Sequence, residues 1–362
     1  MSFLPNGADS DAAITYFYGH LFAADPEIRA MFPAAMAQQR DRLAASLAYL
    51  AHADEEKTAY LADLGRAHRK FGVREEHYAG FRQALTATLR NFADGPQAAA
   101  DCLRAFDRDA QVMMTAASEE ASRSPAWWVG EVTGHEMRGA DLAVLTVQPD
   151  EQFDYLPGQH VSVQTPHWPR LWRTYSIANA PRADGVLTLH VRAVRGGLVS
   201  TALVHHCGPG DTVFLGAAAG RMTADTQSSR DVLCLAGGTG LAPLKAIIEA
   251  ISRSTTPGRR REIVLYHGVR RQADLYDLDD LRQMELDYPW LQVLPVTSDE
   301  TADGVLSGTI PQIAARANWD GRDVYVSGPD QMIVETVRAL AARGVPSERV
   351  GYDLTAEVAA TI

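Results

Sequence analysis

The spacing of apolar residues changes twice along this chain, and each change excludes continuation of the fold class before it. From Ala12 to about Ser122 apolar positions recur at helical intervals, with breaks at Phe32-Pro33 and Asp94-Gly95-Pro96. After Ser122-Arg123-Ser124-Pro125-Ala126 the side chains alternate, as in Val186-Leu187-Thr188-Leu189-His190-Val191-Arg192, which is the period of strands. From Val232 onward, short apolar runs at 232–236, 263–266, 291–296 and 323–327 alternate with helix-like stretches, the pattern of a parallel α/β sheet. One core cannot serve three periods. The 362 residues therefore divide into an all-α domain over 1–125, an antiparallel β domain over 126–228 and a Rossmann-like α/β domain over 229–362. No internal repeat or low-complexity segment interrupts them.

Composition narrows the partners. With 46% hydrophobic and 22% charged residues, each domain can bury a core. A net charge of -11 disfavours nucleic acid and anionic membranes, both of which need clustered Lys and Arg, so small molecules are the expected partners. Cys102, Cys207 and Cys234 stand in no ligand pattern, which reads as reduced thiols. The N-terminal residues lack a basic run followed by an apolar core, and no stretch is apolar for about 18 residues. The expectation is a cytoplasmic protein, a monomer or weak dimer.

In the α/β domain, the strand at 232–236 runs into Gly237-Gly238-Thr239-Gly240-Leu241-Ala242-Pro243 and then a helix. Glycines let the backbone approach a pyrophosphate, and the following helix aims free N–H groups and its positive dipole end at it. The strand at 323–327 likewise ends in Ser327-Gly328-Pro329 before a helix. Two glycine-rich carboxyl ends favour a nucleotide over an ordinary tight turn. In the β domain, alternation along Trp172-Arg173-Thr174-Tyr175-Ser176-Ile177 puts Arg173 and Tyr175 on one face and Thr174 and Ser176 on the other.

The helical domain has four histidines: His20, His52, His68 and His77. His68 stands apart because Leu61, Leu64, His68 and Phe71 fall on one helix face, which turns the imidazole inward. An inward imidazole needs a partner, and haem iron would be one; a core histidine is the ordinary alternative. Ile14, Tyr18 and Leu21 share a face in the same way.

These segments resemble two related families. Gly237, Gly238, Thr239, Gly240 and Pro243 match the GGTG-x-x-P loop of the ferredoxin-NADP reductase superfamily, and Gly328, Pro329 and Met332 match its C-G-P-x-x-M motif, with Ser327 in place of Cys. Arg173 to Ser176 match its R-x-Y-S flavin motif, in order between Leu156-Pro157-Gly158-Gln159 and Gly196-Gly197-Leu198-Val199-Ser200. The resemblance implies an antiparallel β-barrel holding FAD. In it Arg173 neutralises phosphate, Tyr175 packs on the isoalloxazine, Ser176 bonds near the flavin nitrogen, and the turn at Gly197, Val199 and Ser200 holds the pyrophosphate. Gln159 and Thr174 belong to the same flavin site. Arg270 and Arg271 follow the strand at 263–266 where the superfamily contacts the adenosine ribose; Asp274 beside them favours NADH, so use of both nicotinamides is expected. The superfamily's C-terminal Y-E-x-F is replaced by Tyr352-Asp353-Leu354-Thr355, which removes an aromatic cover and opens the flavin to solvent.

Gly65-Arg66-Ala67-His68-Arg69-Lys70-Phe71-Gly72-Val73 with Tyr78, and Phe17-Tyr18-Gly19-His20-Leu21-Phe22 through Pro26-Glu27-Ile28 to Phe32, resemble the globin domain of flavohaemoglobins. The resemblance spans nearly the whole chain. It implies haem b with His68 as proximal ligand, Tyr78 supporting it, Tyr18 as the distal tyrosine and Phe32 on the haem plane. Gln39-Arg40-Asp41-Arg42-Leu43 resembles the family's Q-R-E-x-L, which places Gln39 and Leu43 above the haem; an ungapped alignment puts Arg42 there instead. Glu120 or Glu119 is the candidate for the proximal carboxylate. The segment before Tyr18, broken by Pro5-Asn6-Gly7, leaves room for no more than a rudimentary first globin helix. The implied reaction is oxidation of nitric oxide by O2 to nitrate with electrons from NAD(P)H through FAD. An NAD(P)H oxidase, a reductase for another acceptor, and a haem-based oxygen or redox sensor are the alternatives.

Overall fold

The computed structural model describes residues 8–52, 57–254 and 260–354. They form a helical unit within residues 1–127 and a larger unit, over 128–168 and 172–354, that contains two sheets. The helical unit consists of α1 (Ala8–Ala24), α2 (Pro26–Ala30), α3 (Ala37–His52), α4 (Lys57–His68), α5 (Glu75–Phe92) and α6 (Pro96–Ala121). The breaks fall where local chemistry demands them. Asp25 accepts the N–H groups of Glu27 and Ile28 at 2.9 and 3.4 Å, with Pro26 opening α2. Gly95, at φ +98°, turns the chain into Pro96 at the head of α6. Among the described residues no separate helix precedes α1, so Tyr18 belongs to the first helix; Pro5-Asn6-Gly7 lie outside the described residues.

α4 and α6 meet at Gly65, where a Cβ would lie 2.3 Å from the Met113 carbonyl oxygen. Only a glycine permits that approach.

The second unit opens with a sheet of β1 (Trp128–Met137), β2 (Leu142–Pro149), β3 (His160–Gln164), β4 (Arg173–Ser176), β5 (Leu187–Arg192) and β6 (Thr212–Leu215), with α7 (Leu198–His205) after β5. The strands are antiparallel in the order β4-β3-β6-β1-β2-β5, and a bridge between Ile177 and Leu189 draws the two outer strands together into a near-closed barrel. Its interior holds the alternate residues of each strand, among them Val161, Val163, Leu187, Leu189, Val213 and Leu215, all fully buried.

The other sheet is parallel, with β7 (Val232–Gly237), β8 (Ile263–Val269), β9 (Leu291–Thr297), β10 (Leu306–Ser307), β11 (Asp323–Ser327) and β12 (Val350–Gly351) in the order β10-β9-β8-β7-β11-β12. Helices α8 (Leu241–Arg253), α9 (Leu278–Asp287), α10 (Ile310–Ala314) and α11 (Asp330–Ala342) complete it. Every residue of β7 is buried, because the sheet is covered on both faces: Val232, Cys234 and Ala236 pack with α8 and α9 residues, Leu233 and Leu235 with α10 and α11 residues. The chain leaves β7 toward β8 and later returns to β11 on its other side. β7 and β11 therefore flank the topological switch point, where such sheets bind ligands.

Gly65→Ala should destabilise the helical unit by about 1–3 kcal/mol, the usual penalty of forcing a methyl into a packed contact. Urea unfolding followed by helical circular dichroism should show the lower midpoint, with the flavin-fluorescence transition of the other unit unmoved; an unshifted helical midpoint would contradict the contact.

Candidate functional site

In the helical unit Ile14, Tyr18, Leu21 and Ile28 form a buried cluster on which Phe17, Phe22, Phe32 and Leu43 pack. Tyr18 stacks on Phe22 at 5.6 Å and meets Phe32 edge-on at 5.6 Å. Burial pushes its phenol up to about 12, and the Gln39 side chain, hydrogen-bonded to it, opposes that rise. Tyr18, buried in an aromatic cluster, and Gln39, half-buried beside it, are thus a polar pair, whereas Arg42 is exposed.

Of the four histidines, His20 is exposed with its ring tilted against Tyr16 at 4.4 Å, and His77 Nδ1 accepts the Arg74 N–H at 2.9 Å at the start of α5. The His52 side chain lies outside the described residues. His68 closes α4, and desolvation, reinforced by the Lys70 ammonium, holds its pKa down to about 4. Among the described residues its ring makes no hydrogen bond. A neutral imidazole with an uncommitted nitrogen is the state an iron ligand requires, so the donor set fits a haem. Tyr78 is desolvated, its phenol pushed up to about 12, and its ring lies 6.4 Å from Phe81. Glu120 accepts the Ser124 hydroxyl at 2.8 Å and lies 3.9 Å from Arg66, so its described partners are these and not His68 or Tyr78. Glu119 is exposed.

In the barrel, β4 pairs with β3 from Val163↔Arg173 to His160↔Ser176. The alternation holds: Thr174 is exposed, while Tyr175 is desolvated beside the Arg173 guanidinium, burial raising its phenol and Arg173 opposing. The hydroxyls of Thr174 and Ser176 have no partner among the described residues, which suits a strand that meets a polar ring edge. Two predicted contacts act otherwise. The Gln159 amide accepts the Leu156 N–H at 2.8 Å and donates to the Gly220 carbonyl at 3.2 Å, tying two loops together. The buried Ser200 hydroxyl donates to Gly197 O and accepts the Val194 N–H, both at 3.2 Å, while Val199 is buried. What this turn offers an anion is the backbone N–H at the start of α7, which begins right after Gly197.

At the parallel sheet, Gly238 to Gly240 form one 3₁₀ turn between β7 and α8, and Pro243 is buried in the first turn of α8. A Cβ on Gly240 would lie 2.3 Å from the Ser327 carbonyl oxygen and 2.5 Å from the Gly328 nitrogen, and one on Gly237 would lie 2.4 Å from Met332 Sδ. The two predicted motifs therefore touch, with Pro329 packed against Gly237. Arg270 is exposed, while Arg271 is drawn to Asp274, whose carboxylate accepts its N–H at 3.2 Å and lies 3.6 Å from its Nε.

Asp353 carries a contact that its position in the sequence does not announce. It accepts the N–H groups of Arg221 and Met222 at 2.9 and 3.3 Å, and so clamps the loop after β6 where the superfamily has an acidic residue followed by an aromatic. A second such group is the buried Asp277, paired with Lys245 of α8 and 3.8 Å from Arg138. An acidic run such as Asp277-Leu278-Asp279-Asp280 reads as a solvated helix start, and no signal in it distinguishes the buried member.

Among the described residues no helix is long and apolar enough to cross a membrane. Residues 15–116 match the globin family, 131–223 the oxidoreductase FAD-binding domain and 234–338 the oxidoreductase NAD-binding domain. The xylene/toluene monooxygenase electron transfer component of Pseudomonas putida is 31% identical over 59% of this chain, which spans only 61% of that protein. The flavohemoprotein of Bordetella pertussis is 26% identical over 94% of this chain and 92% of its own. Among solved structures, the flavohemoglobin of Malassezia yamatoensis superposes with a TM-score of 0.77 over 95% of this chain and 94% of its own, at 16% identity, a likeness of fold. A globin followed by FAD-binding and NAD-binding domains, with haem, FAD and NAD(P)H as the matching cofactors, places the chain in the flavohaemoglobin family.

Proposed function

We propose that this protein is an NAD(P)H-dependent nitric oxide dioxygenase, converting nitric oxide and O2 to nitrate. The observation that carries the reading is the Tyr18–Gln39 pair: a desolvated phenol in an aromatic cluster with a half-buried amide set against it, on the same chain as a nucleotide switch point. When bound, haem would supply the metal centre at which nitric oxide and O2 combine to nitrate, NO + O2 + e− giving NO3−, and FAD with NAD(P)H would supply that electron, one hydride's two electrons being delivered singly.

The chain's own residues do the positioning. His68, neutral at pH 7, would hold the iron. Tyr18 stays protonated, because its pKa is raised, and so would offer an O–H donor to O2 in a haem site, with Gln39 orienting the phenol. Phe32 and Leu43 exclude water from the space between. In the barrel, Arg173 would balance flavin phosphate charge and Tyr175 would pack on the flavin. At the sheet, the turn from Gly238 to Gly240 presents backbone N–H groups to the dinucleotide.

A second reading, a reductase serving another acceptor, draws on Glu120: its carboxylate is engaged by Ser124 and Arg66 instead of tightening His68. Nitric oxide turnover separates the two. The dioxygenase reading expects stoichiometric nitrate with NAD(P)H oxidation, and the reductase reading expects neither.

His68→Ala should lose the Soret band while retaining FAD and near wild-type NAD(P)H-dependent reduction of an artificial dye, because the two units have separate cores. NAD(P)H-driven nitric oxide consumption should fall to background. A normal Soret band in this variant would refute the ligand and return His52 and His77 to consideration. Gln39→Leu should slow nitric oxide consumption by roughly tenfold, the effect of one lost hydrogen bond in a dry pocket, while Arg42→Leu should leave it within about twofold. The opposite ranking would move the distal role to Arg42.

A further inference from the structure

His267 is fully buried on β8, in register with Ala236 of β7. Its Nε2 lies 3.1 Å from the Gly238 carbonyl oxygen, and its Nδ1 is sealed from solvent without a hydrogen-bond partner among the described residues. Burial holds its pKa down to about 4, so the ring is neutral near pH 7. A carbonyl can only accept, so the single ring proton sits on Nε2 and leaves Nδ1 an orphaned acceptor. A phenylalanine would fill the same space without that penalty. Tyr276 stands edge-on to the ring at 5.9 Å, and its own hydroxyl is tied to His190 Nδ1 at 2.8 Å, so the imidazole is held on both sides.

The acceptor of that bond is what gives it a consequence. Gly238 opens the 3₁₀ turn at φ +53°, a left-handed conformation, and its carbonyl also accepts the Leu241 N–H within the turn. The described peptides are all trans, so the Thr239 N–H leaves the same plane on the side opposite the Gly238 carbonyl. A bond that pins the carbonyl inward therefore points the Thr239 N–H outward, in front of α8.

We propose that His267 is a positioning residue for the dinucleotide, its Nε2–H orienting the Gly238–Thr239 peptide so that the Thr239 N–H meets the pyrophosphate. This rests on the reading of the loop as the NAD(P)H site. It separates two roles that are easily confused, since a merely structural histidine would be felt in stability and a positioning one in nucleotide affinity.

The test uses the full-length, FAD-loaded chain and three readouts: ADP-ribose affinity by calorimetry, KM and kcat for NADH in ferricyanide reduction, and thermal unfolding. His267→Phe should hold FAD and unfold no earlier than wild type, yet raise the ADP-ribose Kd and the NADH KM by about tenfold with kcat within about twofold. His267→Gln, whose amide nitrogen reaches as far as Nε2, should restore both to within about threefold of wild type. Wild-type affinity in His267→Phe overturns the proposal. If that variant does not retain FAD, His267→Gln decides alone: near wild-type affinity supports the role, and a tenfold loss overturns it. A wild-type chain that binds no ADP-ribose would overturn the nucleotide reading itself, and the positioning role with it.

Discussion

The reductase half depends on one contact of backbone with backbone. β7 and β11 lie side by side although the chain visits three other strands of the sheet before returning, and their carboxyl ends come so close that a single methyl on Gly240 would overlap the Ser327 carbonyl. Parallel strands paired through Leu235↔Val326 and Ala236↔Ser327 bring the two turns together, and glycine at 237, 240 and 328 lets them stay there. Once they are in contact, the N-terminus of α8 faces the crevice at the switch point, and its partial positive charge has a place to act. Sheet order, loop composition and helix polarity are consequences of the same constraint.

Much of this was legible in the sequence, for a physical reason. A parallel strand buried on both faces must be apolar throughout, and Val232 to Ala236 reads that way; a helix packed on one face must repeat its apolar residues, as Ile14, Tyr18 and Leu21 do. Breaks were legible where a side chain acts on its own backbone, as at Asp25-Pro26 or Gly95-Pro96. What periodicity could not convey was contact between residues remote in sequence. Nothing local marks Asp353 as the partner of the Arg221 and Met222 N–H groups, 132 and 131 residues away, nor Asp277 as the buried member of its acidic run. The proximal carboxylate failed to declare itself for the same reason. Glu119 and Glu120 differ by one position on α6, and only the crossing with α4 decides that Glu120 meets Arg66.

Both halves bury neutral polar groups, and the reductase unit buries charged pairs as well. In the helical unit the Tyr18 phenol and His68 imidazole are desolvated and pushed away from their charged forms, one toward about 12 and the other toward about 4. Both are neutral across the physiological range, which is what an apolar pocket tolerates. In the reductase unit the buried charges are retained as pairs: Lys245 with Asp277 and Arg261 with Asp323 at 2.7 Å. These pairs bind strands, helices and loops to one another.

Motif residues and cofactor contacts are not the same set. Gln159 and Ser200 occupy motif positions, yet each side chain is engaged by backbone groups of its own loops, Gln159 by Leu156 and Gly220, Ser200 by Gly197 and Val194. A polar side chain saturated in this way has little left to offer a ligand, but it fixes the loop and so the directions of the loop's backbone N–H groups. Such positions tolerate few substitutes because the turn needs a donor and an acceptor at a set reach, not because the cofactor does. Recognition by backbone also tolerates variation in the surrounding side chains, since every residue but proline carries the same N–H.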